Sequence, residues 1–157
     1  MLLGPLPIEG GDLEVQPLFR ERLFLVAPPD HPLAMRPKLC VEDLKGAQVL
    51  SLGRSHHLHR QVAEICAELG MELLRDYEGT SLDSVHQMAS SGVGLAVLPE
   101  LYIGSDVGGR TGIEVLKPQG WKFTRSIAAA WRSGAAYRDA YRTIADRIQA
   151  EARALIG

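Results

Sequence analysis

Short apolar runs alternate with amphipathic stretches along most of the chain. Three of the runs are β-prone and are predicted to be strands: residues 23–27, 48–52 and 95–98. Proline stops the first and the third of them, since it cannot continue a paired strand. Residues 73–77, 113–116 and 126–131 are predicted to form further strands. Strands that alternate with helical segments predict an α/β protein with a largely parallel sheet.

The clearest helical stretch covers residues 56–69. Its apolar positions are separated by four, three, one and three residues, which is typical of a helix packed on a sheet: Leu58, Val62, Ile65, Cys66 and Leu69. We expect Ser55 to cap its start and Gly70 to end it. Cys66 lies on the apolar stripe, so it is interpreted as a small buried hydrophobic residue rather than a reactive thiol.

Two more helices are predicted further along the chain. Thr80, followed three places later by Asp83, has the form of a capping box and opens a helix that ends at Gly92. The last helix covers residues 137–156 and is expected to bury one side: Tyr141, Ile144, Ala145, Ile148 and Ala152. Residues 104–112 contain four glycines and are predicted to be a loop.

Composition narrows the classes of protein that this chain can represent. It has 157 residues, 46% of them hydrophobic, and a net charge of -2. This balance is globular and gives no electrostatic reason to expect nucleic acid as a direct partner. No apolar run approaches the roughly 18 residues of a spanning helix, and the first residues do not form an export signal. Two cysteines are too few for a disulfide framework, so we expect reduced thiols and a cytoplasmic protein.

Three segments together resemble the effector-binding domains of LysR-type transcription regulators. Residues 18–27 with 30–34 are similar to the crossover between lobes and the turn that follows it. Residues 79–83 with 88–99 are similar to the helix-and-strand block of those domains, closest to the peroxide-sensing OxyR branch. Residues 55–61 lie where that branch has a short cysteine-bearing motif ahead of a helix. Similarity extends from about residue 2 to residue 150.

The resemblance implies a periplasmic-binding-protein-like (type II) fold of two α/β lobes with an effector in the cleft between them. We expect partial lobe one in residues 1–19, complete lobe two in 20–122, and a return to lobe one in 123–157 with the final helix. The winged helix-turn-helix of the family is not found in this chain, so DNA is expected as a partner only through a missing N-terminal domain. The alternatives are a stand-alone solute-binding protein of the same fold and a non-functional truncated fragment.

The resemblance breaks at the reactive thiol. His57 stands where the peroxide-sensing branch has its redox-active cysteine, and Cys66 aligns with the second cysteine of that motif. Imidazole cannot form a sulfenic acid or a disulfide. The disulfide switch of that branch is therefore not expected here.

Polar residues at two predicted helix starts are the candidate site. A helix N-terminus offers unpaired N–H groups and partial positive charge, which favour an anion. We predict that a small organic anion contacts a set of six residues: Ser55, His56, His57, Thr80, Ser81 and Val93. For the histidines a solvated helix start is the competing interpretation, and a metal site formed by His56 and His59 with His86 or His31 is a third.

Enzyme motifs are missing from the sequence. There is no Gly-x-Ser-x-Gly elbow, phosphate loop or dinucleotide fingerprint, and no carboxylate pair stands out for acid–base chemistry. We therefore predict an effector-sensing domain that is not an enzyme, uses no cofactor, does not contact a membrane and forms a homo-oligomer.

Overall fold

The computed structural model describes residues 1–105 and 111–156. Strands in these ranges are β1 (Leu2–Pro5), β2 (Leu13–Ala27), β3 (Gln48–Leu52), β4 (Glu72–Gly79), β5 (Leu95–Pro99), β6 (Glu114–Leu116) and β7 (Thr124–Arg132). A 3-10 turn, Val41–Leu44, accompanies helices α1 (His57–Leu69), α2 (Leu82–Ser90), α3 (Glu100–Gly104) and α4 (Arg138–Leu155). None of the helices in the described part is long and apolar enough to cross a membrane.

The chain divides into two compact units. The terminal unit consists of Met1–Arg22 and Thr124–Gly157, and the central unit is Leu23–Phe123. The long strand β2 belongs to the terminal unit up to Arg22 and to the central unit from Leu23 onward. The lobe boundaries expected after residues 19 and 122 stay predictions.

The sheet of the central unit is parallel only on one side, from β5 to the edge strand β4. β5 pairs with β3, and β3 pairs with β4, both in parallel, whereas β2 pairs antiparallel with β5 and β6. The expectation of a largely parallel sheet is therefore right for three strands alone. A parallel neighbour requires a crossover connection, and helices α1 and α2 provide one only between β3, β4 and β5.

Helices α1 and α2 cover opposite faces of this sheet. Ser51 of β3 contacts His59 of α1, so α1 lies on the face to which Ser51 points. Leu52 and its partner Gly79 point the other way, and a Cβ atom at Gly79 would collide with Val85 of α2. The apolar side predicted for α1 is confirmed, since Leu58, Val62, Ile65 and Cys66 are buried and Gly70 ends the helix in the left-handed conformation.

The terminal unit is an antiparallel three-stranded sheet in the order β1-β7-β2. Helix α4 packs on one face, where the core residues are Leu18, Ala129, Trp131 and Ala145. The predicted burial of Ile144 is wrong, because that side chain is 44% exposed. In β1, Leu2 and Leu3 are 56% and 49% exposed.

The start of β2 and the helix α3 differ from what the sequence predicts. β2 begins at Leu13 rather than at residue 23, because β7 offers it a partner along this whole length. The short helix α3 was not predicted. Of the predicted glycine-rich loop 104–112, residues 106–110 lie outside the described residues.

Candidate functional site

Two helix N-termini follow neighbouring parallel strands at the same edge of the central sheet. Leu52 at the end of β3 pairs with Gly79 at the end of β4, and the N–H of Gly53 donates to the carbonyl of Gly79 at 3.2 Å. Parallel strands have their carboxyl ends at one edge of a sheet. Residues 55–57 and 80–81, which follow these two ends, are therefore brought to one edge, as the sequence predicts.

The first N-terminus has no side-chain cap. The predicted cap Ser55 is wrong: His56 occupies the N-cap position, and its side chain makes no capping hydrogen bond. The N–H of His56 donates to the carbonyl of Gly53 at 3.0 Å and closes a turn there. The helix therefore begins one residue later than predicted. Ser55, His56 and His57 are all exposed, so their side chains are accessible to a ligand at the start of α1.

The second N-terminus is capped by its own serines. Ser81 is the N-cap; its Oγ accepts from the N–H of Ser84 at 3.2 Å, and Ser84 Oγ accepts from the N–H of Ser81 at 3.1 Å. The predicted box of Thr80 and Asp83 is therefore wrong by one position. The reason is that Asp83 has another partner, the Tyr102 hydroxyl, which donates to it at 2.7 Å. Exposed Thr80 is not the N-cap of α2.

Val93 lies away from the other five predicted residues. It precedes β5, and a Cβ atom on neighbouring Gly94 would lie 3.2 Å from the carbonyl of Gln48, at the start of β3. Gln48 begins β3 and Leu52, four residues later, ends it and leads to Ser55. A strand rises about 3.3 Å per residue, so the edge of the sheet near Val93 and the edge near Ser55 are about 13 Å apart. The structure places Ser55, His56, His57, Thr80 and Ser81 at one edge of the central sheet and Val93 at the other.

The predicted histidine cluster is divided by the structure. His59 turns inward, with Nδ1 2.9 Å from the carbonyl of Leu52. His86 is only 8% exposed; its Nε2 lies 2.8 Å from the carbonyl of Thr111 and its Nδ1 lies 3.1 Å from the Tyr102 hydroxyl. Burial and the Asp83 carboxylate raise the pKa of Tyr102. Within residues 1–105 and 111–156 no three His, Cys, Asp or Glu side chains are placed to hold a metal ion, so the structure does not support the metal interpretation.

Both thiols are free, and their surroundings differ. Cys66 is 3% exposed within the core of the central unit, and burial raises its pKa to about 11. Cys40 is half-buried at the start of the 3-10 turn, with its Sγ 3.8 Å from Oε1 of Gln119. The interpretation of Cys66 as a buried hydrophobic residue is confirmed.

A sheet flanked by helices whose N-termini converge at one edge is the architecture of an α/β domain that binds small ligands. Residues 1–153 match the family model described as the LysR substrate binding domain, and the chain belongs to that family. Its fold is accordingly the periplasmic-binding-protein-like type II fold, as the resemblance implied. The chain is an effector-binding domain of LysR-type transcription regulators, and its described residues contain no winged helix-turn-helix.

The relatives include hydrogen peroxide-inducible genes activators and OxyR. The chain is 27% identical over 140 residues to the hydrogen peroxide-inducible genes activator of Haemophilus influenzae, covering 89% of this chain and 46% of that protein. It is 31% identical over 136 residues to the DNA-binding transcriptional dual regulator OxyR of Escherichia coli K12, covering 85% and 44%. Among solved structures, the reduced OxyR regulatory domain of Pseudomonas aeruginosa matches with a TM-score of 0.77 and 29% identity, covering 94% of this chain and 70% of that one. The chain thus spans less than half the length of these curated relatives, which are transcription regulators rather than enzymes.

Proposed function

We propose that the chain is the non-enzymatic sensing part of a cytoplasmic transcription regulator and that its effector is a small organic anion rather than peroxide. The observation that carries this proposal is the pair of helix N-termini at one edge of the central sheet. Ser55, His57, Thr80 and Ser81 lie there with exposed side chains. His56 adds a second exposed imidazole.

An anion is the ligand that this edge fits best. The start of α1 has no side-chain cap, so its first N–H groups remain to bind a ligand oxygen. The partial positive charge of both helix ends acts in the same direction. Hydroxyl groups of Ser55 and Thr80 and a ring N–H of His57 can each donate a charge-assisted hydrogen bond to a carboxylate.

Sensing would proceed by a population shift. A ligand changes the balance of two conformations only to the extent that it binds one of them better, so the anion must contact the two arrangements of a full-length regulator differently. DNA would be contacted by a winged helix-turn-helix outside these residues, in a regulator that works as a homo-oligomer. His57 in place of the reactive cysteine supports a reversible, non-covalent signal.

Calorimetric titration with anions that carry no amino group, such as succinate, 2-oxoglutarate and benzoate, tests the site. His57→Ala and Thr80→Ala should each weaken binding of an anion that binds the wild type by about tenfold, the worth of one charge-assisted hydrogen bond. Arg60→Gln changes an exposed charge on the outer side of α1 and serves as the control. Unchanged affinity in both alanine variants would place the effector elsewhere.

A further inference from the structure

We propose a second ligand site in the central unit, a depression between α1 and the edge strand β4 that binds an aliphatic α-amino acid. Its volume is about 400 Å³, which suits a small metabolite. Eight residues line it: Ser51, Arg54, His59, Ala63, Leu73, Leu74, Arg75 and Glu78. None of the residues proposed to hold the anionic effector is among them, so this site goes beyond the proposed function and does not depend on it.

An irregularity in β4 forms the depression. Val49 pairs with Leu73 and Ser51 pairs with Glu78, so β4 advances five residues while β3 advances two. Such a bulge releases residues from the ladder and re-aims their side chains. Here it brings Arg75 to the depression, next to an apolar wall made of Leu73, Leu74 and Ala63.

The floor holds a buried hydroxyl group with a proton to donate. Ser51 is 3% exposed, and its Oγ lies 3.3 Å from Nδ1 of His59. That nitrogen is also 2.9 Å from the carbonyl of Leu52, which can only accept, so Nδ1 carries a hydrogen in this geometry. Ser51 Oγ therefore accepts from the ring, and its own O–H has no acceptor within the part of the chain that the structure describes. Buried polar groups are normally satisfied, and a ligand oxygen would satisfy this one.

The charged groups around the rim match a zwitterion. Neither Arg54 nor Arg75 forms an ion pair within residues 1–105 and 111–156, so both guanidinium groups remain for a ligand carboxylate. Glu78 Oε2 lies over Gly53, 3.5 Å from where a Cβ atom of that glycine would be. A ligand with a carboxylate alone would be repelled by the Glu78 carboxylate. A ligand that also carries an ammonium group would pair that group with Glu78.

The complementary ligand thus has three parts. Its carboxylate is held by Arg54, Arg75 and the Ser51 hydroxyl, its ammonium group by Glu78, and its alkyl chain by the apolar wall. In an α-amino acid the carboxylate, the ammonium group and the side chain are all attached to one α-carbon. A compact ligand can therefore reach all three parts of the site, and an extended ligand is not required. The wall selects an aliphatic side chain over a charged one.

Nuclear magnetic resonance titration of the ¹⁵N-labelled chain with L-leucine tests this site. We expect saturable shifts of amide signals in residues 51–54 and 73–78. Arg75→Gln should weaken binding by about tenfold, while the matched change Arg60→Gln, on an exposed α1 arginine that does not line the depression, should leave it unaltered. Arg75 is exposed, so its replacement leaves the fold intact, which the same spectra verify.

A second comparison isolates the ammonium group. Glu78→Gln should weaken binding of L-leucine and leave binding of 4-methylpentanoate, which lacks the amino group, unchanged or tighter. Absence of any shift at millimolar L-leucine would overturn the proposal. So would equal affinity in Arg75→Gln and Arg60→Gln, or shifts confined to residues 55–57 and 80–81, which would assign L-leucine to the helix ends instead.

Discussion

Exposure to hydrogen peroxide should leave the two thiols of this chain without a bond between them. Burial on the sheet-facing side of α1 raises the pKa of Cys66 to about 11 from an ordinary value of 9.0. At pH 7 a thiol of pKa 11 is ionised in roughly one molecule in ten thousand, and one of pKa 9 in roughly one in a hundred. The thiolate is the nucleophile, so burial alone should slow the reaction of Cys66 about a hundredfold.

The assay treats native protein with excess peroxide, blocks remaining thiols with N-ethylmaleimide and maps the peptides by mass spectrometry. In a Cys40→Ser variant, reaction of Cys66 with a disulfide reagent should be about a hundredfold slower in native protein than in urea. Raising the pH from 7 to 9 should speed the native reaction by roughly the same factor, since both values lie below the pKa and the thiolate increases tenfold per pH unit. A Cys40–Cys66 disulfide in good yield, or equal native and unfolded rates, would refute the reasoning.

Two further predictions concern the terminal unit. Glu21 and Arg125 are cross-strand partners, joined at 2.7 Å with the glutamate 1% exposed, so Arg125→Met should lower the free energy of unfolding by about 3–5 kcal/mol in urea titrations. The double change Glu21→Gln with Arg125→Met should be less destabilised than the single one, and a single variant as stable as wild type would contradict this account. Within the described residues β1 is the end strand of its sheet and carries exposed leucines. We therefore also expect an oligomer held by this unit, through exchange of its strands or of α4. Light scattering from a stable monomer at micromolar concentration would rule that out.

Much of the fold could be predicted from local pattern alone. The stripe that ends at Gly70 defines α1 within one residue, because burial against a sheet requires apolar positions at helical spacing. The strands β3 and β5 are short apolar runs and are likewise where the pattern puts them. The direction of strand pairing could not be predicted from local pattern, since it depends on which strands come together in space. The antiparallel partners of β2 lie far along the chain, and no local pattern records them.

Parts of the site were missed because competing hydrogen bonds are not visible in a sequence. Thr80 and Asp83 fit a capping box, yet Asp83 is engaged by Tyr102 from another helix, and Ser81 with Ser84 takes over the capping. The assignment of Val93 to the site stays a prediction, and its place in the sheet is distinct from that of the other five residues. A residue before a parallel strand lies at the opposite edge of the sheet from residues that follow the neighbouring strands, and the pairing of β5 with β3 places Val93 at that opposite edge.

Histidines that are close in the sequence can have side chains on opposite sides of a helix. His57 and His59 are two residues apart, which rotates their side chains by about 200° around the axis of α1. One must therefore point to solvent when the other points to the sheet, and the apolar stripe decides which. His59 lies four residues before Ala63 and seven before Cys66, the spacing of the buried side, whereas His57 falls opposite it. The same periodicity that predicts α1 thus assigns the two imidazoles to separate surfaces, one to the edge with the helix N-termini and the other to the depression beside β4.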